Sequence, residues 1–164
     1  KLGAIMINIL MQFVIIITKW GVNFMSLKVL PGTPSCFVCG DKKENSRSLE
    51  LNIFWDEDDE HTSISFVPDG SWCGYEGIVH GGILAAILDD AMAWAIKALD
   101  DRTYVTAKMN VTFKRPVQWH GHYSASGFLD RKEERRAYTS ALIQDEDGNT
   151  CVEAKAVFVL TKAI

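Results

Sequence analysis

A long apolar helix that carries two acids is the feature that most constrains this chain. From Gly81 the sequence runs Gly-Gly-Ile-Leu-Ala-Ala-Ile-Leu-Asp-Asp-Ala-Met-Ala-Trp-Ala, so a helix here is apolar on every face except at Asp89 and Asp90. A helix of that kind is a core helix. The two carboxylates therefore need a partner or a chemical task, because a buried charge is otherwise costly.

The residues on either side of this helix predict antiparallel strands. The predicted strands span residues 49–55, 61–67, 104–114, 121–130, 136–145 and 150–161. Residues 26–45 contain several Pro and Gly and are predicted to be irregular. Since no second helix is strong enough for a βαβ unit, we expect an α+β fold in which one antiparallel sheet wraps around one central helix.

The strand after the helix has a clean alternation. One face is polar, and the other is apolar and expected to be half-buried: Val105, Ala107, Met109, Val111 and Phe113.

Composition narrows the class of protein. The chain has 164 residues, of which 48% are hydrophobic and 23% charged, as in one ordinary globular domain. A net charge of -4 argues against nucleic-acid binding, which usually needs a basic face. Four cysteines are too few and too unevenly placed for a disulfide scaffold, so we expect a reducing, cytoplasmic setting.

An apolar segment precedes the domain. Residues 2–18 are nearly all apolar, but the stretch is shorter than the ~20 residues that a membrane span requires. No small-residue cleavage site of a signal peptide follows it. We predict that residues 1–25 are an extension, either translated upstream sequence before Met25 or an accessory helix, that residues 26–164 form the domain, and that membrane association is absent.

Cys36 and Cys39, followed by Gly40, resemble half of a zinc-binding turn. A closed zinc site needs about four ligands, and no second Cys or His pair follows at matching spacing. We interpret this segment as a tight turn with two partly buried thiols and predict no metal ligand. A site shared between subunits is the alternative.

The turn before the helix is a candidate electrophilic site. Gly81 and Gly82 lie where the first N–H groups of the helix lack partners and its dipole is positive, which suits a carbonyl or an oxyanion. Spacing alone does not decide between Asp89 and Asp90, which lie about 100° apart around the helix. We interpret His80 as a positioning residue, because no Ser or Cys nucleophile with its own motif lies nearby.

These motifs together resemble a known family. His80-Gly81-Gly82, an acid nine residues after the His, and Thr106-Ala-Lys-Met-Asn110 leading to Lys114-Arg115-Pro116 are similar to the hotdog-fold acyl-CoA thioesterases of the phenylacetate-pathway type. The resemblance covers about residues 36–160. It implies a central helix enclosed by an antiparallel sheet, and hydrolysis of acyl-CoA to free acid and CoA without a cofactor.

The resemblance also implies roles for individual residues. Asp89 matches the general base or nucleophile, Thr106 the hydroxyl that orients water or the acid, and Gly81 the N–H that polarises the carbonyl. His80 matches the positioning residue. The substrate-binding positions are expected at Gly82, Asp90, Lys114 and Arg115, the last two on CoA phosphates. Homodimers or homotetramers are expected, with each active site taking its Asp and its His-Gly-Gly turn from opposite subunits.

One position departs from the family pattern, and several alternatives stay open. Some relatives have an Asn six residues before the His, where this chain has Gly74. The main alternative is a non-catalytic acyl-CoA-binding module, in which the acids are structural. The second alternative is the hydratase branch of the fold, and the His-to-Asp spacing argues against it. An acyl-carrier-protein thioester is an alternative substrate.

Overall fold

The computed structural model describes residues 27–161, and the predictions for residues 1–25 lie outside them. Helix α1 spans Gly81–Leu99. The strands are β1 (Leu27–Val29), β2 (Phe54–Asp56), β3 (His61–Phe66), β4 (Cys73–Tyr75), β5 (Ile78–Val79), β6 (Tyr104–Phe113), β7 (Tyr123–Lys132), β8 (Arg136–Asp145) and β9 (Thr150–Leu160). Within residues 27–161, no helix has the length and apolar character that crossing a membrane requires.

Seven strands form one antiparallel sheet that packs around α1. Their order across the sheet is β1-β2-β3-β7-β8-β9-β6, and β4 pairs separately with β5. The helix contacts β3, β6, β7, β8 and β9. Its buried side chains are Leu84, Ile87, Leu88, Ala91, Met92, Ala95 and Ile96. The predicted α+β architecture, one antiparallel sheet around one central helix, is confirmed.

Local interactions define both ends of α1. The His80 side chain caps the N-terminus by accepting a hydrogen bond from the Gly82 N–H. Asp100 follows the last helical residue as the C-terminal cap, and its carboxylate accepts hydrogen bonds from Arg102, Lys132 and the Tyr104 hydroxyl. These bonds hold the pKa of Asp100 well below its usual range, with Arg102 as the largest cause.

The predicted strand at residues 49–55 is wrong over most of its length, since only Phe54–Asp56 forms β2. The amides of Leu49 and Leu51 instead donate to the carbonyls of Phe37 and Val38, and Glu50 has a φ of 54°. Apolar alternation here reflects packing of a loop on the core rather than sheet pairing.

Three smaller differences concern strand positions. The segment predicted to be irregular contains β1, which pairs with β2. The hairpin of β4 and β5 lies in the glycine-rich turn before α1. β7 begins two residues later than predicted, after His120, which has a φ of 65°.

Strand β6 is an edge of the sheet and not the half-buried strand that its alternation predicts. Val105 and Phe113 are 45% and 53% exposed, and only Met109 and Val111 of the apolar face are partly buried. The pairing with β9 also shifts between Thr106 and Lys108, which interrupts the alternation. Among residues 27–161, nothing pairs with the outer edge of β6.

Candidate active site

The turn before α1 is held rigidly by hydrogen bonds. The His80 backbone N–H donates to the Trp72 carbonyl at 2.7 Å, and the Val79 N–H donates to the Val117 carbonyl at 2.9 Å. The His80 ring points back to the helix, where Nδ1 accepts from the Gly82 N–H at 2.9 Å. His80 therefore fixes the shape of the turn, and that bond occupies its Nδ1.

Gly81 presents a backbone N–H at the positive end of the helix. As the first residue of α1 it has no intrahelical acceptor, and within the described residues this N–H makes no other hydrogen bond. Its α-carbon packs close to the ring of Phe113, at the far end of β6. The donor is thus oriented and available to an oxygen atom from outside the chain.

This N-terminal turn opens on a cleft of about 580 Å³. Its walls are Gly74, Tyr75, Ile78, Val79, His80, Gly81, Leu84, Phe113, Lys114, Arg115, Pro116 and Val117. The sequence does not predict the wall formed by Tyr75, Ile78 and Phe113. Phe113 follows the alternation of β6 and is therefore expected on a buried face of the strand. Tyr75 is 80% exposed, so the apolar wall lies open to solvent in the single chain.

Two basic residues stand at the rim of the cleft. Lys114 forms an ion pair of 2.6 Å with Glu153, and both side chains are about half exposed. The amides of Lys114 and Arg115 both donate to the Cys151 carbonyl, which sets the direction of the chain after β6. Glu153 therefore balances the charge of Lys114, and Arg115 adds a second positive side chain beside the turn.

Gly74 lies against His80. A Cβ built on Gly74 would be 3.0 Å from Cδ2 of the His80 ring and 3.2 Å from the His80 Cα. A larger residue at this position would press on the ring that caps α1. Glycine at position 74, where some relatives have Asn, therefore allows the close packing of the His80 ring at this turn.

Asp89 and Thr106 meet where α1 passes the start of β6. The Thr106 hydroxyl donates to Oδ1 of Asp89 at 2.6 Å. Thr106 is exposed and Asp89 is partly buried, so the pair faces outward from the sheet edge. A carboxylate held by a hydroxyl at an accessible surface can accept a proton from water or attack a carbonyl.

Asp90 has a different environment. Its Oδ1 lies 3.6 Å from the Cys36 sulfur, and its Oδ2 is buried without a hydrogen-bond partner among residues 27–161. Burial raises the pKa of Asp90 to about 7. A hydrogen bond between the two thiols lowers the pKa of Cys36 and raises that of Cys39. The expected turn with two partly buried thiols is present, and it packs against this acid.

Within one chain the candidate residues form two separate groups. His80, Gly81, Lys114 and Arg115 line the cleft, whereas Asp89 and Thr106 lie outside it. Eight helix positions separate Gly81 from Asp89, which is about 12 Å at about 1.5 Å per residue. Neither group contains both a base and an electrophile.

Comparison with known proteins finds similarity to thioesterases. The mouse acyl-coenzyme A thioesterase THEM4 is 28% identical over 117 residues, which are 71% of this chain and 50% of the mouse protein. The chain thus spans about half the length of that relative. The description "Thioesterase superfamily" belongs to the family model that matches residues 76–152.

Solved structures show the same fold. A crystallised thioesterase superfamily protein superposes with a TM-score of 0.71 at 19% identity, over 97% of this chain and 79% of its own. A hypothetical thioesterase from Streptococcus pneumoniae, crystallised with coenzyme A, gives 0.59 at 17% identity over 62% and 78%. Structures of the pneumococcal protein were also determined with an Asp→Ala and a Thr→Ala substitution.

An antiparallel sheet around one helix that begins at a glycine turn is the hotdog fold. Residues 76–152 match the thioesterase superfamily model, and the chain has the fold of a crystallised thioesterase superfamily protein. The resemblance stated from the sequence is confirmed.

Proposed function

We propose that this protein is a thioesterase that hydrolyses acyl-CoA to a free acid and CoA. The observation that carries the proposal is the 2.6 Å hydrogen bond that the Thr106 hydroxyl donates to Asp89. This bond orients an accessible carboxylate. The unpartnered N–H of Gly81 supplies the complementary electrophile. The name of the mouse relative and the CoA of the pneumococcal structure support a CoA thioester as substrate.

In the proposed step, a water molecule attacks the thioester carbonyl carbon. Asp89 accepts a proton from that water, and the Gly81 N–H donates a hydrogen bond to the carbonyl oxygen as negative charge develops there. The C–S bond then breaks, and the CoA thiolate leaves and takes up the proton from Asp89. Direct attack by Asp89, followed by hydrolysis of the resulting anhydride, is the alternative route for the same residues.

The two groups of residues act together when two subunits meet. Strand β6 is long and partly apolar, and no strand of residues 27–161 pairs with its outer edge, so this edge can pair with another subunit. Pairing two β6 strands would bring the Asp89 and Thr106 of one subunit toward the cleft of the other. A homodimer or a dimer of dimers, with sites between subunits, follows from this proposal.

The rim of the cleft suits the CoA part of the substrate. Lys114 and Arg115 are exposed beside Gly81, and positive side chains at such a rim bind phosphate groups. The apolar wall of Tyr75, Ile78 and Phe113 is available to the acyl or pantetheine part.

Turnover of a panel of acyl-CoA thioesters, followed by detection of free thiol, tests the proposal. We expect the parent to release CoA and Asp89→Asn to lose about 10²- to 10⁴-fold in kcat, the usual contribution of a general base. Asp90→Asn should lose far less. Binding of acyl-CoA without turnover by the parent would indicate a non-catalytic module, and a larger loss in Asp90→Asn would contradict the choice of Asp89.

A further inference from the structure

The turn that contains Cys36 and Cys39 has the form of a preorganised sulfur site. The Val38 N–H points to the Cys36 sulfur at 3.3 Å, and the Gly40 N–H donates to the Cys36 carbonyl at 3.1 Å. A Cβ at Gly40 would collide with the Cys36 carbonyl oxygen and lie 2.6 Å from the Pro34 carbonyl oxygen. The close turn therefore requires glycine, and it aims an amide at the first sulfur as outer partners of a metal ligand do.

Helix α1 brings a third ligand type to this turn. Oδ1 of Asp90 lies 3.6 Å from the Cys36 sulfur, and one oxygen of Asp90 and both sulfurs lie within 4.8 Å of one another. Tetrahedral zinc with Zn–S near 2.3 Å and Zn–O near 2.1 Å places its ligand atoms about 3.5–3.8 Å apart. The 3.6 Å distance between the Cys36 sulfur and Oδ1 of Asp90 meets that requirement, and the other two distances are at most 4.8 Å.

The buried oxygen of Asp90 is the second observation. Oδ2 is inaccessible to solvent and has no hydrogen-bond partner among the described residues. A thiol donating to Oδ1 accounts for one carboxylate oxygen and leaves the other unsatisfied, which is costly in a buried position. A cation bound by this carboxylate would offset that cost.

We propose that Cys36, Cys39 and Asp90 bind a Zn²⁺ ion, with a fourth position open to water. Two thiolates favour zinc over Mg²⁺ or Ca²⁺, which prefer oxygen ligands. The sequence offered only the two sulfurs, since the third ligand is 54 residues away along the chain. The ion joins the loop before β2 to α1 at the residue next to Asp89.

This site does not depend on the proposed hydrolysis, so its test uses metal binding and stability. The full chain, purified under reducing conditions without added metal, is assayed for zinc content and then titrated with Zn²⁺ against a chromophoric chelator. We expect one ion per chain, no competition from Mg²⁺, and a rise in Tm on zinc addition. With Co²⁺ we expect the thiolate charge-transfer absorption and the intense ligand-field bands of a four-coordinate ion.

Matched variants assign the ligands. Asp90→Asn should weaken zinc binding more than about tenfold, the loss that even outer partners cause, and Cys36→Ser should reduce the charge-transfer absorption, because only the Cys39 thiolate remains. Asp89→Asn and Cys73→Ser, an adjacent acid and a free cysteine elsewhere, should bind zinc like the parent. A parent that takes up neither Zn²⁺ nor Co²⁺ overturns the site, whatever the variants do. Equal affinity in Asp90→Asn overturns the carboxylate ligand.

Discussion

Asp89 and Asp90 are consecutive residues of α1, yet their carboxylates lie in different environments. Asp89 accepts a hydrogen bond from Thr106 on the accessible edge strand, and Asp90 lies against the Cys36 sulfur with one oxygen buried. About 100° of rotation between neighbouring helix positions produces this separation. The Asp89 carboxylate therefore faces the accessible edge of the sheet, and the Asp90 carboxylate faces the interior of the same chain.

Removing the Thr106 hydroxyl tests its role on Asp89. Thr106→Ala should reduce kcat by about 10- to 100-fold, because a hydrogen bond to a charged group contributes about 1.5–3 kcal/mol. Thr106→Ser keeps the hydroxyl and should recover most of the loss. Steady-state kinetics over a range of pH provide the measurement. Equal losses in the two variants would assign the effect to packing at the start of β6 instead.

The Gly81 N–H can be removed with little change to the helix. Proline is well accepted at the first helical position, and His80 has the extended backbone, φ -63° and ψ 128°, that precedes proline. Gly81→Pro should lower kcat by about 100-fold, as loss of an oxyanion donor does. Gly81→Ala adds the same contact with Phe113 but keeps the N–H, so it is the matched control. Comparable activity in the two variants would remove this N–H from the mechanism.

Subunit mixing tests whether each site uses two chains. In a heterodimer of Asp89→Asn and Gly81→Pro, one interface site carries both changes and the other carries neither. Co-expression of the two inactive variants should therefore restore about one quarter of parent activity for random pairing in a twofold dimer. Sites contained within one chain would give no recovery. Native mass spectrometry of the mixture establishes that heterodimers form.

Stability at acid pH should depend on Asp100. Its pKa is lowered in the folded protein, chiefly by Arg102, so its stabilising contribution is present above the unfolded pKa near 3.9 and is lost as pH falls through that range. Asp100→Asn should cost about 1 kcal/mol of unfolding free energy at pH 7, since the partners are partly exposed, and the difference should shrink toward pH 3. Urea unfolding measures both values.

The control for Asp100 is its neighbour. Asp101 is fully exposed and pairs with Lys97, so Asp101→Asn should change stability little at either pH. A difference for Asp100→Asn that stays constant from pH 7 to pH 3 would contradict a role for its charge.

Local patterns in the sequence are sufficient to predict the helix and most strands of the sheet. The apolar run from Ile83 predicts the central helix because its burial needs no information about which strand covers which face. Strands β8 and β9 were predicted nearly to the residue, since both alternate and a Gly148 turn joins them. The family resemblance then selected Asp89 and Thr106, and their catalytic roles stay predictions until the variants are assayed.

Alternation failed where packing depends on partners far along the chain. Residues 49–53 alternate but hydrogen-bond to the loop at Phe37 and Val38, and Val105 and Phe113 alternate but lie on an edge strand. An apolar side chain has the same local pattern whether it packs on its own core or on another subunit. Periodicity indicates that a face will be buried, but it does not identify the element or subunit that buries it.

The opening helix shows both sides of this division. By itself the sequence determined that a buried helix follows a glycine turn and carries two acids, because periodicity and composition are local properties. The family resemblance had already related Thr106 to Asp89, but only the tertiary structure gives their 2.6 Å contact and brings Cys36 to Asp90, because those contacts join segments 17 and 54 residues apart. The direction of each carboxylate follows from its position on the helix, but the groups that it contacts come from the sheet and from the loop.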